Sequence, residues 1–258
     1  MTVPPTRIIA RLDIKGQNVI KGIHLEGLRV IGKPGPIARQ YYDQGIDEFV
    51  YMDVVASLYG RNGILETIEE AARDIFVPLT VGGGVRNKDD IVAALRSGAD
   101  KVAINTAAIS NPSFIKEAAE SFGSQCIVLS VEAKNRGPGQ WEALTDNGRE
   151  QTGVSVLDWV KQAQELGAGE VLLTSVDKEG TKRGFDIELI KAVHESVHIP
   201  VIASGGAGNV DHVEKLIQEN SADAVCLASL FHYGIASPTE LKKELLERGL
   251  HIRQVDGT

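Results

Sequence analysis

Eight short runs rich in β-branched residues alternate along the chain with segments of helical periodicity. The runs lie at 7–13, 48–53, 77–81, 101–105, 126–132, 170–175, 200–204 and 224–228. The segments 64–75, 88–97 and 156–166 carry apolar residues at helical spacing, and Asn87 can cap the second of them. Strands that alternate with helices run parallel and are joined by right-handed crossovers. Eight such units in 258 residues predict an α/β fold, a single (β/α)8 TIM barrel.

The two halves of the chain also match each other. The matching segments are 75–91 with 197–213, 44–53 with 166–175, and 7–15 with 126–134. A doubled four-strand unit explains these matches, so we expect one domain, 1–258, built from two similar half-barrels, 1–121 and 122–258. The segment 134–150 interrupts the pattern after the fifth strand and is interpreted as an inserted hairpin rather than a second domain.

Composition excludes several classes of function. The chain has 27 Lys and Arg against 35 Asp and Glu, and a net charge of −8 argues against binding to nucleic acid or to a membrane surface. No apolar run is long enough for a signal peptide or a membrane span, so a cytoplasmic protein is expected. Cys126 and Cys226 are interpreted as small core residues within strands, and the six histidines lack metal-ligand spacing. No metal and no cofactor are expected.

Glycines and short polar residues follow four of the predicted strands. These strand ends are 82–84 (GGG), Asn105 with Thr106, Ser204 with Gly205 and Gly206, and Ala228 with Ser229. Backbone N–H groups at such turns, together with helix N-termini, can bind an anion. Each could also be an ordinary strand-to-helix turn, but the repeat places two copies in one barrel. We therefore expect two phosphate sites and a substrate with a phosphate at each end.

Two carboxylates end strands at equivalent positions of the repeat. Asp13 follows the first strand and Glu132 the fifth, on opposite sides of an eight-stranded barrel. Active sites of such barrels lie at the carboxyl ends of the strands, where a facing pair of carboxylates suits acid–base catalysis. The alternative is a pair of solvated loop acids.

The starts of four strands carry a second pattern. Because side chains alternate along a strand, Arg7, Glu48, Lys101 and Glu170 are all expected to face the barrel axis. They would form a ring of two positive and two negative groups, either a polar plug or gate, or charges that serve stability alone. The glycine-punctuated loop 15–33, with Lys21 available to meet an anion, is interpreted as a mobile lid or a long structural loop.

These residues stand in motifs that together resemble the cyclase subunit of imidazole glycerol phosphate synthase, the HisF family. The motifs are RIIARLDIKG, DEFVYMDVVAS, TVGGGV, GADKVAINTAA, FGSQ, LLTSVDKEGTKRGFD, VIASGGAG and ASLFH. The resemblance covers nearly the whole chain. It implies histidine biosynthesis, in which ammonia converts a bis-phosphorylated formimino carboxamide ribonucleotide in its ribulosyl form to imidazole glycerol phosphate and aminoimidazole carboxamide ribonucleotide. A glutaminase (HisH-type) subunit docked on the barrel bottom would supply the ammonia along the barrel axis.

The resemblance also implies roles for individual residues. Asp13 and Glu132 would be catalytic, and Arg7, Glu48, Lys101 and Glu170 would form the ammonia gate. Residues that would bind substrate or its phosphates are Lys21, Gly84, Asn105, Thr106, Thr174, Asp177, Gly180, Gly205, Gly206, Ala228 and Ser229.

Three positions depart from the family pattern. Glu132 and Glu179 stand where the family has Asp, and Arg11 replaces a small residue in the middle of the first strand. A guanidinium inside a barrel needs a buried acid, for which Glu132 and Asp13 are the candidates. We expect Arg11 to pair with Glu132 and hold it ionised, leaving Asp13 as the acid. If Arg11 prefers Asp13, these roles reverse.

The departures leave other functions open. The main alternative is a HisF-like subunit that delivers ammonia to an amidotransferase acting on a surface-polysaccharide sugar. A non-catalytic scaffold that binds a glutaminase and a phosphorylated ligand is a third possibility. The related single-chain isomerase of the same pathway is a fourth, although it needs no inward charged ring.

Overall fold

The computed structural model describes residues 4–55 and 64–254. The strands in these ranges are β1 (Arg7–Lys15), β2 (Asn18–Ile23), β3 (Glu26–Gly32), β4 (Glu48–Asp53), β5 (Leu79–Gly82), β6 (Lys101–Ile104), β7 (Ile127–Gly137), β8 (Gln140–Thr145), β9 (Glu150–Ser155), β10 (Glu170–Ser175), β11 (Val201–Ser204) and β12 (Ala224–Leu227). The α-helices are α1 (Pro34–Asp43), α2 (Leu65–Asp74), α3 (Lys88–Arg96), α4 (Thr106–Ser110), α5 (Ser113–Phe122), α6 (Val156–Glu165), α7 (Ile187–Ser196), α8 (Val210–Gln218), α9 (Ser229–His232) and α10 (Pro238–Glu247).

Eight of the strands close into a parallel barrel. Their order is β1, β4, β5, β6, β7, β10, β11 and β12, and β12 pairs back onto β1. Arg7 lies beside Ala224 in that closing pair, and Glu170 lies beside Val128 where β10 meets β7. Helices connect successive barrel strands, so the predicted (β/α)8 barrel is confirmed. Below, the amino ends of these strands are the bottom of the barrel and their carboxyl ends are the top.

Local sequence signals account for most of the element boundaries. The side chain of Asn87 accepts a hydrogen bond from the Asp90 amide and caps α3, as predicted. Asn209 caps α8 in the same way, at the position equivalent to Asn87 in the repeat. The helices predicted at 64–75, 88–97 and 156–166 each form within about one residue of the predicted bounds.

Side chains alternate between the inside of the barrel and the layer between strands and helices. The inward apolar group comprises Ile9, Val50, Met52, Ala103, Val128, Leu172, Ile202, Ala224 and Cys226. A larger apolar cluster fills the layer between the strands and the surrounding helices. Burying each aliphatic side chain stabilises the fold by about 1.5–3 kcal/mol, so this double core holds the strand ends rigidly in place.

Two antiparallel extensions cover part of the top of the barrel. The first is the hairpin of β2 and β3, where the sequence predicted a mobile lid or a long structural loop at 15–33. Its turn is formed by His24 and Leu25, both with positive φ, as a tight two-residue hairpin turn requires. The glycines in this segment are typical of a loop, yet β2 pairs directly with β1. The second extension comprises the outer part of β7 with β8 and β9, which contains the predicted hairpin and one further strand.

Two further findings concern single predictions. Cys126 is not in a strand: it ends a one-turn 3-10 helix, Ser124–Cys126, and is partly exposed, because β7 starts one residue later. Cys226 is buried in β12 as predicted. Among the helices of the described ranges, none is both long and apolar enough to cross a membrane.

Candidate active site

A cavity of about 380 Å³ opens at the top of the barrel, where β4, β5, β6 and β7 end. Gly84, Asn105, Thr106 and Glu132 all line it, so the structure brings the first predicted phosphate site together with one predicted catalytic carboxylate. The positive φ of Gly83 and Gly84 turns the chain sharply after β5. We call this arrangement, built on Gly84, Asn105 and Thr106, the first cradle.

Glu132 is buried at the edge of this cavity and is held by neutral donors. Asn105 Nδ2 donates to Glu132 Oε2 at 3.0 Å, and the Gly148 amide donates to the same oxygen at 2.7 Å. Burial raises the pKa of Glu132 to about 7, although Arg11 and the Gly148 amide oppose this shift. A carboxyl group with such a pKa can carry a proton near neutral pH.

Asp13 is buried too, but its neighbours are cations. Arg11 Nε donates to Asp13 Oδ1 at 2.7 Å, and Lys21 Nζ lies 3.7 Å from Oδ2. Burial alone would raise the pKa of Asp13, but the charges of Arg11 and Lys21 outweigh it and hold the pKa below its usual range. The expectation that Arg11 pairs with Glu132 is therefore wrong, and the stated alternative applies. Asp13 lies two residues from Arg11 on the same strand face, whereas Glu132 is occupied by Asn105 and Gly148.

The second predicted phosphate site contains the expected residues but is covered. Gly205 and Gly206 both have positive φ, and Ser229, next to Ala228, begins α9 and is buried. A side-chain carbon placed on Gly205 would lie 3.4 Å from Glu179 Oε2, which locates that carboxylate against the turn. We call the turn at Gly205 and Gly206, with Ser229, the second cradle.

The cover is a contact between the hairpin and the loop after β10. Lys21, itself buried, pairs with Glu179 as well as with Asp13. The His24 amide donates to the Glu179 carbonyl at 2.9 Å, and Gly180 packs so closely on Gly22 that no side chain fits there. The hairpin thus lies across Gly180 and places its lysine over the second cradle.

Two other residues predicted to bind substrate lie elsewhere. Asp177 accepts hydrogen bonds from Lys134 Nζ at 2.5 Å and from the Asn135 amide at 2.8 Å, which ties the loop after β10 to β7. Thr174 is fully buried inside the barrel, where its hydroxyl accepts from Arg11 Nη1 at 3.0 Å. In this structure both side chains therefore bind protein groups.

The four charged residues at the bottom form a closed ring. Arg7 donates to Glu48 at 2.8 Å and to Glu170 at 2.5 Å, and Lys101 reaches the same two carboxylates at 3.4 Å and 2.9 Å. Each residue begins a barrel strand, so the ring surrounds the lower end of the axis. Its role as a gate stays a prediction.

Sequence reasoning missed two groups around the carboxylates. Asn147 lines the cavity with a positive φ, and its buried Nδ2 has no hydrogen-bond partner among the described residues. The Asp-Asn-Gly turn at 146–148 was an available signal. His232 donates from Nε2 to the Arg11 carbonyl at 3.0 Å, and burial lowers its pKa to about 4, so it is neutral. Only the fold brings His232 against the backbone of β1.

The fold and the carboxylate pair define a (β/α)8-barrel enzyme whose chemistry lies at the top of the barrel. A family described as histidine biosynthesis protein matches residues 7–237. The chain is 60% identical over 205 residues to the imidazole glycerol phosphate synthase subunit HisF of Legionella pneumophila, covering 80% of this chain and 97% of that one. It is 44% identical over 247 residues to the subunit of the same name from Streptococcus mutans serotype c, covering 96% and 98%. The chain belongs to this histidine biosynthesis family, and the resemblance seen in its motifs is confirmed.

Proposed function

We propose that the chain is the cyclase subunit of an imidazole glycerol phosphate synthase. It would use ammonia to convert the ribulosyl form of the formimino carboxamide ribonucleotide to imidazole glycerol phosphate and aminoimidazole carboxamide ribonucleotide. The observation that carries the proposal is the pair at the top of the barrel, where Asp13 is held by cations and Glu132 by neutral donors. The names of both relatives favour this function over ammonia delivery to a sugar.

The pair suits the proton transfers of this reaction. Nitrogen that adds to the carbonyl of the ribulosyl chain becomes positively charged and must lose a proton. The carbonyl oxygen must be protonated and leave as water, and the departing carboxamide ribonucleotide must gain a proton. In the proposed mechanism Asp13 accepts the first proton because it stays ionised. Glu132, with its pKa raised to about 7, donates the proton that the departing carboxamide ribonucleotide gains.

The two phosphates of the substrate would occupy the two cradles. The first cradle is open and is bordered by the start of α4, whose amides add to the backbone donors of the glycine turn. The second would receive its phosphate once Lys21 leaves Glu179, and the freed ammonium group would then face the anion. Asn147 Nδ2, unpartnered in the described structure, is a further donor toward the substrate.

Ammonia would come from a glutaminase subunit docked on the bottom of the barrel. The closed ring of Arg7, Glu48, Lys101 and Glu170 surrounds the axis there, and the apolar barrel interior lies directly above it. Phe76 is 75% exposed in the loop before β5, on the same face, and stacks edge-on against Tyr42. Exposed aromatic residues are typical of protein interfaces. Both relatives are named as subunits, which supports a partner chain.

The test uses the purified chain with ammonium salt and the ribulosyl substrate. Release of imidazole glycerol phosphate without a glutaminase is expected. Addition of a HisH-type glutaminase should then allow glutamine to replace the ammonium salt. Binding of the substrate without turnover at any ammonium concentration would contradict the proposal and favour the scaffold or ammonia-delivery function.

A further inference from the structure

Arg11 is a buried cation beside Asp13 that transfers no proton itself in the proposed mechanism. Its side chain is 2% exposed and lies inside the barrel, above the apolar inward group. From β1 it donates through Nη1 to Thr174 on β10 at 3.0 Å. Two strands, β11 and β12, separate β1 from β10, so the guanidinium spans much of the barrel interior. A charge in this position is costly unless it is paired and hydrogen-bonded.

The contacts of Arg11 fix the orientation of the Asp13 carboxylate as well as its charge. Nε of Arg11 binds Asp13 Oδ1 at 2.7 Å while Nη1 is held by the Thr174 hydroxyl, so two edges of one rigid plane are fixed. His232 also fixes the backbone of Arg11 through its bond to the Arg11 carbonyl. Asp13 is therefore held in orientation, not merely neutralised.

Glu132 shows the opposite arrangement. Both of its donors, Asn105 Nδ2 and the Gly148 amide, bind Oε2, and Oε1 accepts no hydrogen bond from the described residues. No cation of the described residues lies within ion-pair distance of Glu132. An oxygen that accepts two hydrogen bonds acts as the carbonyl oxygen of a carboxylic acid. Oε1 is then the atom that carries the proton, and Glu132 lines the cavity.

We propose that Arg11, clamped by Thr174, is a positioning residue that keeps Asp13 ionised and oriented and thereby assigns the exchangeable proton to Glu132. This inference rests on the proposed function and adds to it the role of a residue in the middle of β1. Arg11 binds Asp13 and keeps it ionised before the reaction, while Glu132 binds Asn105 and Gly148 instead of Arg11.

Other titratable groups also face this pair. Lys21 from β2 and neutral His232 from α9 face Asp13, and Asp146 from the β8–β9 turn faces Glu132. Cys226 on β12 faces Arg11, and burial raises its pKa to about 12, so its thiol is uncharged. Burial and the nearby charge of Arg11 both lower the pKa of Lys21, so Arg11→Met should favour the charged form of Lys21, whereas Arg11→Lys keeps a positive charge beside it.

The experiment compares Arg11→Met, Arg11→Lys and Thr174→Val. The readouts are the carboxyl carbon NMR titrations of Asp13 and Glu132 in the free chain and the pH profile of ammonium-dependent turnover. In Arg11→Met the apparent pKa of Asp13 should rise by about one unit or more. The acid limb of the pH profile should move to higher pH with it. Turnover at neutral pH should fall about 10–100-fold, because Asp13 also loses the orientation that Arg11 gives it.

The other variants separate charge from orientation. Arg11→Lys keeps the charge but cannot bind Asp13 and Thr174 together. The pKa of Asp13 should therefore stay low while kcat falls several-fold. Thr174→Val should give the same pattern, which keeps the proposal testable if Arg11→Met does not fold. The matched control is Lys242→Met, which removes a buried cation bound to Asp47 at 2.6 Å at the bottom of the barrel. It should lose stability without moving the Asp13 titration.

Two results would overturn the inference. An unchanged Asp13 titration in Arg11→Met would show that Arg11 does not set its charge. Wild-type kcat in both Arg11→Lys and Thr174→Val would show that orientation is irrelevant. If the wild-type chain binds the substrate but does not turn it over, the proposed function fails, and the NMR titrations still decide the role of Arg11.

Discussion

The two cradles have the same backbone conformation at their glycine turns but differ in what covers them. Gly83 and Gly84 follow β5, and Gly205 and Gly206 follow β11 at an offset of 122 residues; all four have positive φ. The first cradle opens into a cavity of about 380 Å³. The second lies against the Glu179 carboxylate, which Lys21 bridges to Asp13.

The carboxylates show the same contrast. Asp13 contacts two cations, and Glu132 accepts hydrogen bonds from two neutral donors, although the repeat makes their positions equivalent. The repeat thus fixes where each carboxylate stands. Arg11 and Lys21 on one side, and Asn105 and the Gly148 amide on the other, decide its charge. We propose that the two half-barrels, 1–121 and 122–258, have been given different tasks through these few side chains.

The largest effect is expected from Asp13→Asn. Removal of the ionised base should lower ammonium-dependent turnover by about 10²–10⁴-fold. It also leaves Arg11 buried without its ion pair, which costs about 3–5 kcal/mol of stability. Rate assays and urea denaturation measure the two effects. Asp47→Asn is the matched control, because it strands the buried Lys242 and should lose stability with turnover kept within about threefold. Equal loss of turnover in both variants would contradict the role of Asp13.

A smaller effect should distinguish the cradles. Glu179→Gln removes the carboxylate beside Gly205, and a second-cradle phosphate should bind about tenfold more tightly because the repulsion between like charges is removed. Asp146→Asn is the counterpart in the first cradle and should strengthen only the first site. Phosphate titrations followed by backbone NMR of the two glycine turns locate each effect. Tighter phosphate binding at the first cradle in Glu179→Gln would show that the cover has been misassigned.

The smallest effect concerns the hairpin that covers the second cradle. Leu25 at its turn is buried with Leu144 and Val176 in a small separate cluster. Leu25→Ala should loosen the hairpin and raise amide exchange in β2 and β3 by about tenfold, which corresponds to about 1.4 kcal/mol, and the global free energy of unfolding should fall by no more than that amount. A fall in global stability well above this value would mean that the hairpin is part of the main core.

Much of the fold could be predicted from the sequence because it depends on local signals. Barrel strands such as Glu48–Asp53 are short apolar runs between helices, and Asn87 is a helix cap within four residues of its partner. The hairpin β2–β3 was missed because its frequent glycines resemble a loop and its strands are stabilised by pairing with β1. Long-range pairing of this kind leaves little trace in a single segment.

The sequence could predict where the site lies, but not which side chains in it bind one another. Parity placed Arg11 inside the barrel, yet its choice of Asp13 depends on Thr174, 163 residues away, and on the donors that already bind Glu132. That Asp177 binds substrate stays a prediction, and its contact with Lys134 on the outer part of β7 was not foreseen. Such contacts follow from the lengths of the extensions, which no motif encodes.

The pH dependence of the stability of Glu132→Gln tests the central claim most directly. The folded pKa of Glu132 is raised to about 7 from an ordinary value of 4.5, so the unfolded chain loses this proton first as pH rises. Glu132 therefore makes folding less favourable above pH 4.5, and the penalty levels off above pH 7. Relative to wild type, Glu132→Gln should gain about 2–3 kcal/mol between pH 5 and pH 8. Asp13→Asn should show a constant loss over this range, since Asp13 is ionised in both states. A flat difference for Glu132→Gln, or parallel slopes for the two variants, would contradict unequal charging of the two carboxylates.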